Sequence, residues 1–328
     1  MMGEFELIER YFKRPVTRAP LGGGDDCALL QPSPGCQRAV SSDMLMEGRH
    51  CVADGDPFKL GPTALAVNLS DLAACGALPL AFTLALALPQ ADARWLEPFS
   101  RGLLALADAH GCELIGGDTT RGPLTICITV LGEVPVAGGL SQALLRSGAQ
   151  AGDDVYASGT LGDARLALEA MNGAIALSAS LLAQARQRLE LPTPRVALGM
   201  ALRGIASAAI DVSDGLLGDL GHILSASHVG ACIDTGIAAG LMACNSDDLS
   251  AAVPPDARLG LVLAGGDDYE LVFTAPPHAR AAVESAAASS ATPVTRIGQV
   301  QSALGLRLVD AQGNPVANRF QSFDHFAS

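Results

Sequence analysis

The stretch Ala208-Ala-Ile-Asp-Val-Ser-Asp-Gly-Leu216 changes its structural character half-way along. Residues 208–212 are small or β-branched and read as a buried strand. Ser213-Asp214-Gly215 is a turn signal, and 216–227 is predicted to be a helix. A strand that passes through Asp and Gly into a helix is the basic unit of an α/β protein. Five other segments also set Asp beside Gly or Ser: Gly22-Gly-Gly-Asp-Asp26, Ser41-Ser-Asp43, Asn68-Leu-Ser-Asp71, Gly116-Gly-Asp-Thr119 and Gly265-Gly-Asp-Asp-Tyr-Glu270. Carboxylates are hard oxygen ligands suited to Mg²⁺. Glycine lets backbone approach a phosphate closely. The combination points to a site where metal ions hold polyphosphate.

Working outward, strands are expected near 27–31, 38–42, 83–88, 112–116 and 124–134. Helices are expected over 3–13, 58–75 and 92–110, with Pro62 awkward inside the second. A Gly-, Ser- and Ala-rich passage over 136–150 marks a boundary. We therefore expect an N-terminal α/β domain over 1–138 and a C-terminal α/β domain over 139–328. Beyond the boundary, strands are expected at 154–158, 208–212, 230–234, 270–274 and 294–309, with helices through 162–206, 216–227 and 277–288. Several strands adjoin in sequence, so the sheets should be mixed. Gly-Gly-Asp and a Ser-Asp pair occur in both halves, an echo that two related domains would produce.

The chain has 328 residues, 49% hydrophobic, and a formal net charge of −13. Such an acidic protein is a poor partner for free nucleic acid or an anionic membrane. No apolar run reaches the ~18 residues of a membrane span. Glu4, Glu6 and Glu9 argue against a targeting peptide, and we expect a cytoplasmic protein. The eight cysteines form no Cys-x-x-Cys pair and read as free thiols. With only Lys13 and Lys59 as lysines, the chain has no P-loop, and it has no Rossmann fingerprint.

Charge sharpens the metal reading. Two like unit charges ~4 Å apart repel by about 4 kcal/mol at an effective dielectric near 20. Bare carboxylates would repel a triphosphate, whereas carboxylates loaded with Mg²⁺ attract it. Asp26, Asp43, Asp71, Asp118, Asp211 and Asp214 are the candidates. Each taken singly could equally cap a helix or close a turn.

The wording around these residues is specific. Gly3-Glu-Phe-Glu-Leu-Ile8, Gly24-Asp-Asp-Cys-Ala28, Ala66-Val-Asn-Leu-Ser-Asp-Leu-Ala-Ala74, Gly116-Gly-Asp-Thr-Thr-Arg-Gly122, Ile210-Asp-Val-Ser-Asp-Gly-Leu216 and Gly265-Gly-Asp-Asp-Tyr-Glu-Leu271 occur in this order. Together they resemble the thiamine-monophosphate kinases, part of the aminoimidazole-ribonucleotide-synthetase-like superfamily of ATP users. The resemblance runs from Gly3 to Phe326. It implies a two-domain α/β fold with mixed sheets, in which first-domain strands of two subunits join in a dimer barrel.

The resemblance also implies Mg-dependent, direct in-line transfer of the ATP γ-phosphoryl group to thiamine monophosphate. The products would be thiamine diphosphate and ADP. Several Mg²⁺ ions are implied, with room for K⁺. By motif, Asp26, Ser41, Ser42, Asp43, Asp71, Asp118, Asp211 and Asp214 would belong to the metal sites. Gly117, Asp118, Arg146 and Ser213 would line the ATP, and His50, Asp267 and Phe323 would face thiamine monophosphate. No catalytic residue beyond the metal ligands is expected. The family commonly has Glu where Asp267 stands, a more polar aromatic in place of Phe323, and a basic residue in place of Thr63. Related superfamily members use a reactive cysteine near a chain end, and none is found in the corresponding places here.

Overall fold

The computed structural model describes residues 3–23, 26–31, 33–48 and 55–320. The chain divides into two compact units, Met1–Leu72 with Ala77–Gln142, and Ala73–Gly76 with Ala143–Ser328.

In the first unit the elements are α1 (Glu4–Tyr11), β1 (Cys36–Met46), α2 (Pro57–Ala74), β2 (Leu78–Leu88), α3 (Ala93–Ala109), β3 (Glu113–Arg121), β4 (Thr125–Ala137) and β5 (Leu140–Ser141). The sheet order is β1-β4-β2-β3, with β5 on β4. β2 and β3 run parallel around α3, and the β1–β4 and β4–β2 pairs are antiparallel. Alternation along β1 explains its position: Ser41, Asp43 and Leu45 turn to one face, and Val40, Ser42, Met44 and Met46 turn to the other. Leu84, Leu86, Ile126, Ile128 and Val130 are buried on the neighbouring strands.

Helix α2 tolerates Pro62 because of its neighbour. The proline removes the amide that would bond the Phe58 carbonyl. That carbonyl lies against α3 at Gly102, where a Cβ would come within 2.1 Å of it. Only glycine permits so close an approach of two helix backbones.

The second unit contains β6 (Asp154–Ser158), α4 (Asp163–Met171), α5 (Ala179–Glu190), α6 (Val196–Ala201), β7 (Ala208–Val212), α7 (Leu216–Ser227), β8 (Gly230–Asp234), α8 (Thr235–Ala238), α9 (Asp247–Ala252), α10 (Pro255–Ala264), β9 (Glu270–Ala275), α11 (Arg280–Ser289), β10 (Val294–Gln301), β11 (Gly305–Val309) and β12 (Pro315–Val316). The sheet order is β12-β11-β8-β10-β6-β9-β7. Only β8 and β11 pair in parallel. Every residue of β6, β7 and β9 is buried, the ionisable Asp154, Asp211 and Glu270 among them. Mixed sheets in both units agree with the expected fold class.

Three local expectations change. The strand expected at 27–31 is reduced to one bridge between Leu21 and Leu29. Gly116-Gly-Asp-Thr119 is not a turn but part of β3, which continues to Arg121 because β2 offers a paired backbone along its full length. Ser70-Asp71 lies within α2 whereas Ser213-Asp214 precedes α7, so the echo between the halves is not repeated in local structure. No helix among the described residues is long and apolar enough to cross a membrane.

Candidate metal and phosphate site

In the first unit β1 and α2 bring Ser41, Asp43 and Asp71 together. Ser41 and Asp43 are two apart on one strand and share a face. Asp71 faces them from α2, accepting a hydrogen bond from the Ser41 hydroxyl and sharing one with Asp43. Asn68, one helical turn before Asp71, accepts the Asp43 amide at 3.1 Å through Oδ1. Its Nδ2 donates to the Ala64 carbonyl at 3.0 Å, so the amide is held with its oxygen toward β1. Burial, and then the charge and hydrogen bond of Asp71, push the Asp43 carboxyl up to about 6. Two carboxylates and a hydroxyl form an all-oxygen donor set carrying more negative charge than its surroundings neutralise. That set fits Mg²⁺.

The other first-unit candidates sit apart from this pair. Gly117 and Asp118 are exposed on β3, opposite Leu84 and Ala85 of β2. Asp26 is exposed in a bend. Ser42 is on the opposite face of β1, where its hydroxyl donates to the Ile128 carbonyl at 3.1 Å and meets Thr129 Oγ1 at 3.0 Å. His50 and Phe323 lie outside the described residues. Among the described residues, no group of three His, Cys, Asp or Glu side chains is placed to hold a metal ion.

In the second unit Asp211 is next to last in β7, in a buried position, and Ser213 and Asp214 follow the strand, half-buried. Asp219 of α7 was missed by the motif reading, yet its Oδ2 accepts the amides of Ser213, Asp214 and Gly215 at 3.1, 3.1 and 3.0 Å. Burial pushes its carboxyl up to about 6 despite these three donors, and the Asp214 charge adds to the rise. The Asp267 amide donates to the Ser213 carbonyl, and that of Tyr269 to the Val212 carbonyl, both at 2.9 Å. Asp267 and Tyr269 hold left-handed backbone with φ of 67° and 52°, a region aspartate tolerates and bulky tyrosine enters at a cost.

A buried ion trio anchors this strained loop. The Glu270 side chain is fully buried between Arg188 Nη2 at 2.7 Å and Arg195 Nε at 2.7 Å, with the Ser158 hydroxyl donating at 2.6 Å. Asp268 accepts the Gly162 amide at 2.7 Å, and burial pushes its carboxyl well up. Sequence reasoning saw Glu270 only as part of a motif. Its arginine partners come from 75 and 82 residues away and leave no local signal. Arg146 is exposed; its carbonyl, rather than its guanidinium, is engaged, accepting from the Ser227 hydroxyl at 3.2 Å.

Residues 24–134 match the family model for the AIR synthase related protein, N-terminal domain, and residues 150–310 match that for the C-terminal domain. Thiamine-monophosphate kinase of Escherichia coli (strain K12) is 44% identical over 330 residues, 99% of each chain. The chain belongs to the thiamine-monophosphate kinase family. The crystal structure of thiamine-monophosphate kinase from Stenotrophomonas maltophilia K279a superposes with a TM-score of 0.82 at 44% identity, covering 95% of this chain and 96% of that one. AaThiL complexed with AMPPCP and TMP gives 0.75 at 27% identity, over 90% and 89% of the two chains. Family membership thus extends over both units.

The raised Asp43 carboxyl predicts an unusual pH response. Its folded-state pKa lies above the ordinary 3.8, so the stability it contributes is present below that value and is lost as pH rises toward about 6. In a chelator, Asp43→Asn should melt higher than wild type at pH 7.5, by at most about 3 kcal/mol, and equally at pH 4. Excess Mg²⁺ should abolish the difference at pH 7.5. A difference independent of both pH and Mg²⁺ in melting curves would refute the coupled pair.

Proposed function

We propose that this protein is a thiamine-monophosphate kinase, transferring the γ-phosphoryl group of ATP to thiamine monophosphate to give ADP and thiamine diphosphate. The observation that carries this reading is 44% identity over 99% of the chain to a curated kinase of that name. The AaThiL complex with AMPPCP and TMP supports ATP and thiamine monophosphate as the two substrates.

Asp43 and Asp71, with Ser41 beside them, are the residues that would hold Mg²⁺; Asp26 and Asp118 of the first unit and Asp211 and Asp214 of the second are further candidate ligands. Ser42, on the opposite face of β1, is kept as a further candidate ligand, since a hydroxyl that donates to the Ile128 carbonyl keeps its lone pairs. Bound Mg²⁺ would neutralise phosphate oxygens and so lower the repulsion between two anionic substrates. The acceptor is itself a phosphate with a second pKa near ~6 and needs no general base. The side chains therefore have positioning and charge placement as their task, and transfer is direct. Gly117, Asp118 and Ser213 are assigned to ATP; His50, Asp267 and Phe323 to thiamine monophosphate. Arg146 is assigned to ATP as an exposed cation. K⁺ is proposed as a monovalent partner of Mg²⁺, to be judged by the K⁺ dependence of turnover, and the expected compartment is the cytoplasm.

The test is to incubate pure protein with Mg-ATP and thiamine monophosphate and to assay thiamine diphosphate. No product over a range of Mg²⁺ and K⁺ concentrations would sink this reading.

We further propose a homodimer through the open face of the first sheet. Val40, Met44 and Met46 are 62%, 51% and 46% exposed in a row on one face of β1. Such an apolar row on an edge strand is a liability unless a second copy covers it. Sedimentation should give a wild-type dimer, and Val40→Glu with Met44→Glu should give a folded monomer. A monomeric wild type, or a dimeric double variant, would refute the assignment.

A further inference from the structure

The Ser213-Asp214-Gly215 turn looks like a phosphate cradle, because three successive amides converge. They are already occupied. One oxygen of Asp219, a residue only 3% exposed, accepts all three at 3.0–3.1 Å. The carbonyls on the other side are occupied as well, since Asp267 and Tyr269 donate to Ser213 and Val212 from left-handed backbone. The glycine ending the turn has φ of 124°, and a Cβ there would come within 2.8 Å of the Ala264 backbone. Amides, carbonyls and packing thus hold this turn from independent directions. With these amides taken, the Ser213 and Asp214 side chains are the groups expected to meet ligands.

We propose that Asp219 is a positioning residue that fixes the Asp214 carboxylate for metal binding. This rests on the kinase reading above. A carboxylate that caps three backbone amides stiffens the turn without contacting substrate. It also denies those amides to phosphate, so the ligand must be reached through Asp214 and its metal. The alternative is a purely structural cap at the start of α7, which would affect stability alone.

The test compares Asp219→Ala, Asp219→Asn and Asp219→Glu in the full chain. The Asn variant keeps an acceptor oxygen in place, Ala removes it, and Glu keeps the charge but moves the oxygen by a methylene. Asp219→Ala should raise the half-saturating Mg²⁺ concentration and lower kcat by about 10-fold or more, with KM for thiamine monophosphate within about twofold. Mn²⁺ affinity with a non-hydrolysable ATP analogue, read by electron paramagnetic resonance, should fall by a similar factor, and Asp219→Asn should recover to within about threefold.

A lowered Tm with wild-type Mg²⁺ response and Mn²⁺ affinity overturns the proposal. If Asp219→Ala does not fold, Asp219→Glu must show the same metal defect, and a wild-type metal response there overturns it equally. If wild type makes no thiamine diphosphate, the kinase reading fails while the Mn²⁺ comparison still judges Asp219.

Discussion

Asp71→Asn should lower kcat about a thousandfold at saturating Mg²⁺ while leaving the protein folded. One carboxylate charge about 4 Å from a divalent ion at an effective dielectric near 20 is worth about 8 kcal/mol; with a neutral oxygen ligand retained, we expect about half of that to be lost from the transition state, or three powers of ten in rate. Folding should survive because an asparagine oxygen can still accept the Ser41 hydroxyl, and the hydrogen bond from the Asp43 amide to Asn68, which also ties α2 to β1, is untouched. The substitution also removes the carboxylate whose charge and hydrogen bond raise Asp43. The melting temperature in chelator should therefore stay level or rise. Activity down and stability unchanged separates a ligand from a structural residue. A kcat within tenfold of wild type would refute the metal role.

Gly117→Ala should act in the opposite way, through the fold. The glycine sits on β3 with φ of 155°, and an added Cβ would lie 1.9 Å from the Leu84 carbonyl oxygen and 2.8 Å from its carbon. These are backbone atoms of the paired strand, so relief requires β2 and β3 to part. We expect a loss of about 3–5 kcal/mol and a fall in Tm on the order of 10 °C. Gly221→Ala is the control. It lies within α7, with nothing within 4 Å of the added carbon. There alanine should be neutral or stabilising by about 1 kcal/mol. Thermal melts within 2 °C of wild type for Gly117→Ala would contradict the close approach; the 2 °C margin is about the shift that 1 kcal/mol produces at this size.

Much of the second unit was legible along the chain. The strand expected at 208–212 is Ala208–Val212, and the helix expected at 216–227 is Leu216–Ser227. Both succeed because a buried strand and a capped amphipathic helix carry their signals within a few residues. The 58–75 helix was likewise legible, as Pro57–Ala74, despite Pro62. Expectation failed where pairing decides. Residues 27–31 have strand-like composition but gain only one bridge, whereas Gly116–Arg121 have turn-like composition and become strand because β2 runs beside them. α10 was not anticipated, since Pro255–Ala264 is a short apolar run without a clear period.

The site divides along the same line. Residue order alone singled out the aspartates as candidates and pointed to metal–phosphate chemistry, because oxygen ligands and close-approach glycines are properties of residue type. Family and activity were readable from that order. Which aspartates act together was not. Ser41, Asp43 and Asp71 meet because β-strand alternation puts two of them on one face and α2 brings the third from 28 residues beyond Asp43 (71 − 43). The same alternation turns Ser42 away from that pair, although it is their neighbour in sequence. Asp219 and the Arg188–Glu270–Arg195 trio emerged only from the tertiary structure. Their role depends on hydrogen-bond geometry and burial, and neither is a property of a residue's place in the chain.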